Sequence, residues 1–186
     1  LVLPEPRNAD ALHLVGTLAL ELGRVEIGFE RLRQAAMLKP RDPQVLTDFA
    51  GALERMGNRQ GAETAFRAAL TLQPGFTAAQ LGLGRLFENV ARDSNAAEFY
   101  EAAANGAPDS VAAHTALARI RVKLMEPDAA AKAARRAITL DPKAVEARRI
   151  LGSALDTVGL VDEAIEVRQQ VVELRPTEGF PLYDLG

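Results

Sequence analysis

Six prolines, Pro6, Pro40, Pro74, Pro108, Pro142 and Pro176, stand at a constant interval of 34 residues along this 186-residue chain. A period of that length points to a helix-turn-helix repeat, because each hairpin is too small to bury its own apolar face and must stack on a neighbour. Counting from the prolines gives five segments, 9–42, 43–76, 77–110, 111–144 and 145–178, with a lead-in at 1–8 and the start of a sixth segment at 179–186. Near the middle of each first helix a bulky apolar residue precedes a small one: Val15-Gly16, Phe49-Ala50, Leu83-Gly84, Leu117-Ala118, Leu151-Gly152. The second helices carry Gly28, Ala62, Ala96, Ala130 and Ala164, followed seven residues later by Ala35, Ala69, Ala103, Ala137 and Val171. Seven residues is nearly two helical turns, so each such pair shares a face, and small residues there let helices approach closely.

This order of small, large and proline positions resembles the tetratricopeptide repeat family, over nearly the whole chain. The resemblance implies an all-α fold, a right-handed α-solenoid of antiparallel helix hairpins, with five full repeats and the opening of a sixth. Composition agrees with it. The chain is 48% hydrophobic but only 5% aromatic, without Trp, so its helices must pack through alanine and aliphatic side chains. No apolar stretch reaches the length of a membrane span, and direct membrane insertion is not expected. The absence of Cys excludes disulfides and thiolate metal sites. A net charge of -3 argues against bulk attraction to nucleic acid.

The turns between helices are also legible. Asp42-Pro43 places a capping acid before a proline whose missing donor costs nothing in a first turn. The helix that follows is expected over about Pro43 to Met56, ended by Gly57 in the left-handed conformation. Gly23 and Gly159 hold the same place in the first and fifth repeats, whereas Ala91 and Met125 replace glycine in the third and fourth. Those two turns are expected to close differently. Pro127 is expected to open the second helix of the fourth repeat, and Asp93 or Ser94 to cap that of the third.

In the resembling family the concave surface, lined by the first helix of each repeat, carries the ligand. The corresponding candidates are His13 and Thr17; Thr47, Gly51 and Glu54; Leu81, Gly82, Arg85 and Glu88; Thr115 and Arg119; and Arg149 and Ser153. Gly51 and Gly82 are expected to face this groove rather than a partner helix. Arg85, Arg119 and Arg149 come from successive first helices and form a basic stripe able to grip carboxylates, unless Glu54, Glu88 and Asp156 pair with them. Two ligand codes of the family are absent. The carboxylate clamp of chaperone-binding members would need Lys, Asn and Arg where His13, Thr17, Asp48, Ala78 and Gly82 stand, and the asparagine ladder of O-linked N-acetylglucosamine transferase repeats would need Asn at Leu14, Asp48, Gly82, Ala116 and Ile150.

No catalytic constellation, cofactor motif or metal site is read from the chain. Gly82-Leu83-Gly84 lies inside a helix with no strand before it, and His13 and His114 each lack a second His at ligand spacing. Arg121, Arg148 and Arg168 stand at packing positions of the repeat; with Lys123, Lys132, Arg135, Arg136 and Arg149 they make the fourth and fifth repeats the basic part of an acidic chain. Phe180, Leu182 and Leu185 open an unfinished sixth repeat with no polar cap, from which end-to-end self-association is expected. The reading is a non-catalytic, cytoplasmic protein-interaction scaffold that takes a peptide or helix, an acidic one among the candidates. The alternative reading is the N-terminal repeat region of a bacterial sulfotransferase or glycosyltransferase, with catalysis outside this chain.

Overall fold

The computed structural model describes residues 8–174, which form ten α-helices and no strand. They are α1 (Ala9–Glu21), α2 (Val25–Leu38), α3 (Pro43–Arg55), α4 (Arg59–Leu72), α5 (Thr77–Glu88), α6 (Asp93–Gly106), α7 (Val111–Lys123), α8 (Pro127–Leu140), α9 (Val145–Thr157) and α10 (Val161–Leu174). The odd-numbered helices begin at 34-residue intervals, as the proline ladder requires. The lead-in with Pro6 and the sixth-repeat residues Phe180, Leu182 and Leu185 lie outside the described residues, and so does the self-association expected from them.

Side-chain caps fix several of these starts. The Asn8 Oδ1 accepts from the Asp10 and Ala11 amides at 2.9 and 3.4 Å, and the Asp42 Oδ1 accepts from the Gln44 and Val45 amides at 3.0 and 3.2 Å, with Pro43 in the first turn. Ser110 caps α7 through the Ala113 amide at 3.2 Å. Each fills a donor that a helix start leaves unsatisfied. Pro127 opens α8 as expected. Asp93 is itself the first residue of α6, so Asp93 and Ser94 sit in the first turn instead of ahead of it. There a carboxylate still favours the positive end of the helix.

All five odd-numbered helices end in the same closure, which corrects the expectation for Ala91 and Met125. Gly23, Gly57 and Gly159 have φ of 72, 78 and 79°, and Ala91 and Met125 take the same left-handed conformation at 55 and 59°. The hydrogen bonds are also the same: the Met125 amide donates to the Val122 carbonyl at 3.0 Å and the Glu126 amide to the Arg121 carbonyl at 2.9 Å, matching Gly57 to Glu54 and Asn58 to Leu53 at 2.9 Å each. This paired closure satisfies two orphan carbonyls per helix, enough to hold a non-glycine residue in a disfavoured region.

The chain divides into two compact units between Arg92 and Asp93, the first holding α1 to α5 and the second α6 to α10. In the first, α1 packs on α2 and α3, and α3 on α2, α4 and α5. In the second, α7 packs on α6, α8 and α9, and α9 on α8 and α10. The periodic small residues sit at these contacts: Gly16, Ala50, Gly84, Ala118 and Gly152 are all buried, as are Gly28, Ala62, Ala96, Ala130 and Ala164. A Cβ on Gly16 would come 2.6 Å from the Leu32 Cγ, and one on Gly28 2.5 Å from the Leu20 Cδ2. The core of the second unit is mostly alanine, with Ala118, Ala130, Ala134 and Ala154 completely buried around Ile150, Leu151 and Leu155.

The arginines at packing positions keep the fold by reaching polar partners. The Arg168 Cγ lies 3.5 Å from where a Gly152 Cβ would stand, and its guanidinium continues to Asp156, with Nη1 3.1 Å from Oδ1. Arg148 is only 8% exposed and donates from Nε to the Gln170 Oε1 at 3.2 Å, although its Nη1 is buried with no partner among the described residues. The gap at Gly152 thus accepts the Arg168 stem while its charged head stays paired.

Candidate functional site: a groove on the first unit

A cleft of about 790 Å³ opens on the first unit, built from α1, α3 and α5 with one contribution from α4. From α1 come Thr17, Leu20 and Glu21; from α3 come Thr47, Asp48, Gly51, Glu54 and Arg55; from α5 come Ala78, Gly82 and Arg85, followed by Asn89. Phe66 of α4 forms part of the floor although it is 1% exposed. It reaches the cleft because Gly82 leaves room: a Cβ there would overlap the Phe66 ring. Gly82 therefore packs against the neighbouring helix as well as lining the cleft, which corrects the expectation that it faces the groove alone. Gly51 differs, since nothing stands within 4 Å of its missing Cβ.

Polar groups around the rim are largely engaged with one another. The Arg85 guanidinium grips Glu54 with Nε 3.2 Å from both carboxylate oxygens and Nη2 2.6 Å from Oε2, and the Asn89 Nδ2 adds a bond to Glu54 at 3.3 Å. This is the pairing that competes with the basic-stripe reading. Arg55 donates from Nη1 to the Leu20 carbonyl at 2.5 Å, at the end of α1. Asp48 accepts from the Gln44 Nε2 at 2.8 Å and lies 2.6 Å from the His13 Nε2. Thr47 is the exception: it is 7% exposed and its hydroxyl has no hydrogen-bond partner among the described residues. Such a buried hydroxyl costs free energy until something bonds to it.

Of the candidate residues, the cleft brings together Thr17, Thr47, Gly51, Glu54, Gly82 and Arg85. His13 joins them indirectly, through Asp48, while Leu81 and Glu88 lie on α5 outside the lining. In the second unit Thr115 lines a separate cleft of about 470 Å³ with Val111, Asp141 and Glu146, and Arg119, Arg149 and Ser153 are carried on α7 and α9. Phe66, Glu21, Arg55 and Asn89 are not among the candidates that the sequence supplies. Phe66 sits on a second helix, where the repeat pattern reads only as packing; the pairing of a large aromatic with a glycine sixteen residues later is the signal that identifies it. No group of His, Cys, Asp and Glu able to hold a metal ion occurs among the described residues, and none of their helices is long and apolar enough to cross a membrane.

A tetratricopeptide repeat family model matches residues 47–111 and 115–178. The chain belongs to the tetratricopeptide repeat family. The family's fold is that of a protein-interaction scaffold, generally without catalysis. Among solved structures the chain is similar to MamA from Desulfovibrio magneticus RS-1, at 23% identity and a TM-score of 0.76 over 92% of this chain and 97% of that one. It is also similar to TTC0263, a thermophilic tetratricopeptide protein of Thermus thermophilus, at 19% identity and a TM-score of 0.74 over 92% and 93%. YrrB, described as having an unusual peptide-binding site, matches at 24% identity and a TM-score of 0.71 over 79% and 76%. At these identities the likeness speaks for the fold. No curated protein matches the sequence.

Proposed function

We propose that this chain is a non-catalytic interaction scaffold and that the cleft on α1, α3 and α5 receives an extended segment of a protein partner. The observation that carries this reading is the floor of that cleft: open space at Gly51 and the Phe66 ring beside Gly82. A segment lying there gains a close backbone approach over the glycine and an apolar contact with the floor. A peptide-binding site in the structurally similar YrrB agrees with the reading.

The rim chemistry selects among segments. Glu21, Asp48 and Glu54 face Arg55 and Arg85, three carboxylates against two guanidinium groups, and Arg85 already chelates Glu54. A carboxylate-bearing ligand must displace Glu54 to reach Arg85, whereas a cationic side chain meets Glu21, which has no partner among the described residues. The favoured occupant of this groove is therefore a neutral or basic segment, and an acidic one belongs elsewhere. The test is selection of peptides from a random library on the intact chain, followed by titration against Gly51→Arg. An arginine fills the open floor, so affinity is expected to fall at least about ten-fold, or about 1.4 kcal/mol, with the helical circular dichroism retained. Unchanged affinity for Gly51→Arg would remove this groove as the site.

A further inference from the structure

The basic residues of the second unit are not equivalent once their partners are known. Arg121 pairs with Glu101 at 2.8 Å and also with Glu126, Arg135 pairs with Glu163 at 2.6 Å, and Arg168 pairs with Asp156. Lys132 and Arg136, one turn apart on α8 and both exposed, have no carboxylate at ion-pair distance among the described residues. Both line a cleft of about 510 Å³ between α6, α7 and α8, whose apolar lining includes Ala104, Leu117, Ala129 and Ala133. At one side the Arg136 Nη2 donates to the Pro108 carbonyl at 3.0 Å, and the His114 Nε2 lies 3.1 Å from the same oxygen. This cleft uses a different face of α7 from the one that carries Thr115 and Arg119.

Two repeats earlier in the chain the equivalent positions build the equivalent cleft in the first unit, from α2, α3 and α4. There Leu46, Leu53, Thr64 and Ala68 stand where His114, Arg121, Lys132 and Arg136 stand in the second unit. Four uncharged side chains have become one histidine and three cations around a single apolar floor, while Arg33 of the first cleft has become Glu101, the only acid in this lining. A merely solvated face interleaves both signs; this one leaves a surplus of positive charge above a strip of alanine and leucine.

We propose that the cleft on α6, α7 and α8 docks an acidic segment of a partner protein, with an apolar side chain on the Leu117 and Ala133 floor and carboxylates at Lys132 and Arg136. Side chains four residues apart on a helix stand about 6 Å apart at Cβ, a spacing that two carboxylates on one face of a peptide match. The apolar floor, and a chain whose net charge is -3, favour a protein segment over a nucleic acid. The surface is separate from the groove of the first unit and does not depend on that assignment.

The intact chain is titrated by fluorescence polarisation with fluorescein-labelled Glu-Glu-Leu-Glu-Glu-Leu, and with the same peptide carrying Gln for Glu. The acidic peptide is expected to bind and to weaken with salt, because exposed charges are screened over about 10 Å at 0.1 M. The double variant Lys132→Glu with Arg136→Glu is expected to lose about ten-fold in affinity. If the reversed-charge variant loses helicity, Lys132→Gln with Arg136→Gln is read in its place, with an expected loss of about three-fold. No binding at millimolar peptide, equal binding of the Gln peptide, or affinity untouched by the folded double variant overturns the proposal. So does single-stranded RNA that binds through Lys132 and Arg136 when the acidic peptide does not.

Discussion

Gly51 and Gly82 are both helix-interior glycines on the groove side, yet they differ in what stands opposite the missing side chain. Gly51 looks into open space, so Gly51→Ala is expected to stabilise the protein by up to about 1 kcal/mol through helix propensity alone. At Gly82 the same gain is offset by overlap with a ring that is 1% exposed. Overpacking of that kind typically costs about 1–3 kcal/mol, so Gly82→Ala is expected to destabilise, and Phe66→Leu in the same chain to recover part of the loss. Urea denaturation of the three variants checks the order; a stabilised Gly82→Ala would mean that the ring moves aside freely. Met125 offers a second residue-scale test. It is 76% exposed at φ of 59°, so its side chain contributes little packing while its backbone sits in a conformation that suits glycine. Met125→Gly is expected to raise stability by about 1 kcal/mol, and Gly57→Ala to lower it by about 1–2 kcal/mol. The sequence shows which residue is glycine and which is not, but not whether the backbone changes with it, because the same pair of backbone hydrogen bonds closes the turn in all five repeats.

At the scale of the helices, the period places Ala9, Pro43, Thr77, Val111 and Val145 at helix starts: it carries the start marked by Asp42 and Pro43 over to α5 and α9, which have no side-chain cap of their own. The groove is legible to the same depth: Thr17, Thr47, Gly51, Glu54, Gly82 and Arg85 follow from the face of the first helices. Phe66 and Asn89 escape, since one arrives from a second helix through the gap at Gly82 and the other lies just beyond α5. Charge pairing is the least legible, because it depends on rotamers: Asp156 pairs with Arg168 on its own hairpin. A surface pair on α2 gives a test with a definite sign. Hydrogen bonding from Arg33 holds the Glu30 carboxyl below its ordinary value, against an opposing effect of burial and with further help from Gln34. A carboxylate lowered on folding contributes stability above the unfolded-state value, and that contribution disappears as pH falls through the folded one. Glu30→Gln is therefore expected to cost a small amount of stability at pH 7 and none at pH 2, a difference read from thermal melts at the two pH values.

Over the whole molecule, helix contacts within each unit join only neighbours or next neighbours in the chain, so stability there is a sum of local terms and each helix is only as secure as the helices it touches. In the second unit α9 packs on α7, α8 and α10, whereas α10 packs, among the described residues, on α9 alone. Its buried residues are few: Ala164, Val167 and Val171, against seven on α9. Local opening of α10 breaks one interface, but opening of α9 breaks three, so the free energy of opening is lower for α10. Hydrogen exchange followed by mass spectrometry is expected to show amides of α10 exchanging well before those of α8 and α9, with no change on diluting the protein. If α10 is instead as protected as α9, its outer face is covered. Protection lost on dilution would then identify a second copy of the chain as the cover, and protection independent of concentration would identify residues 175–186.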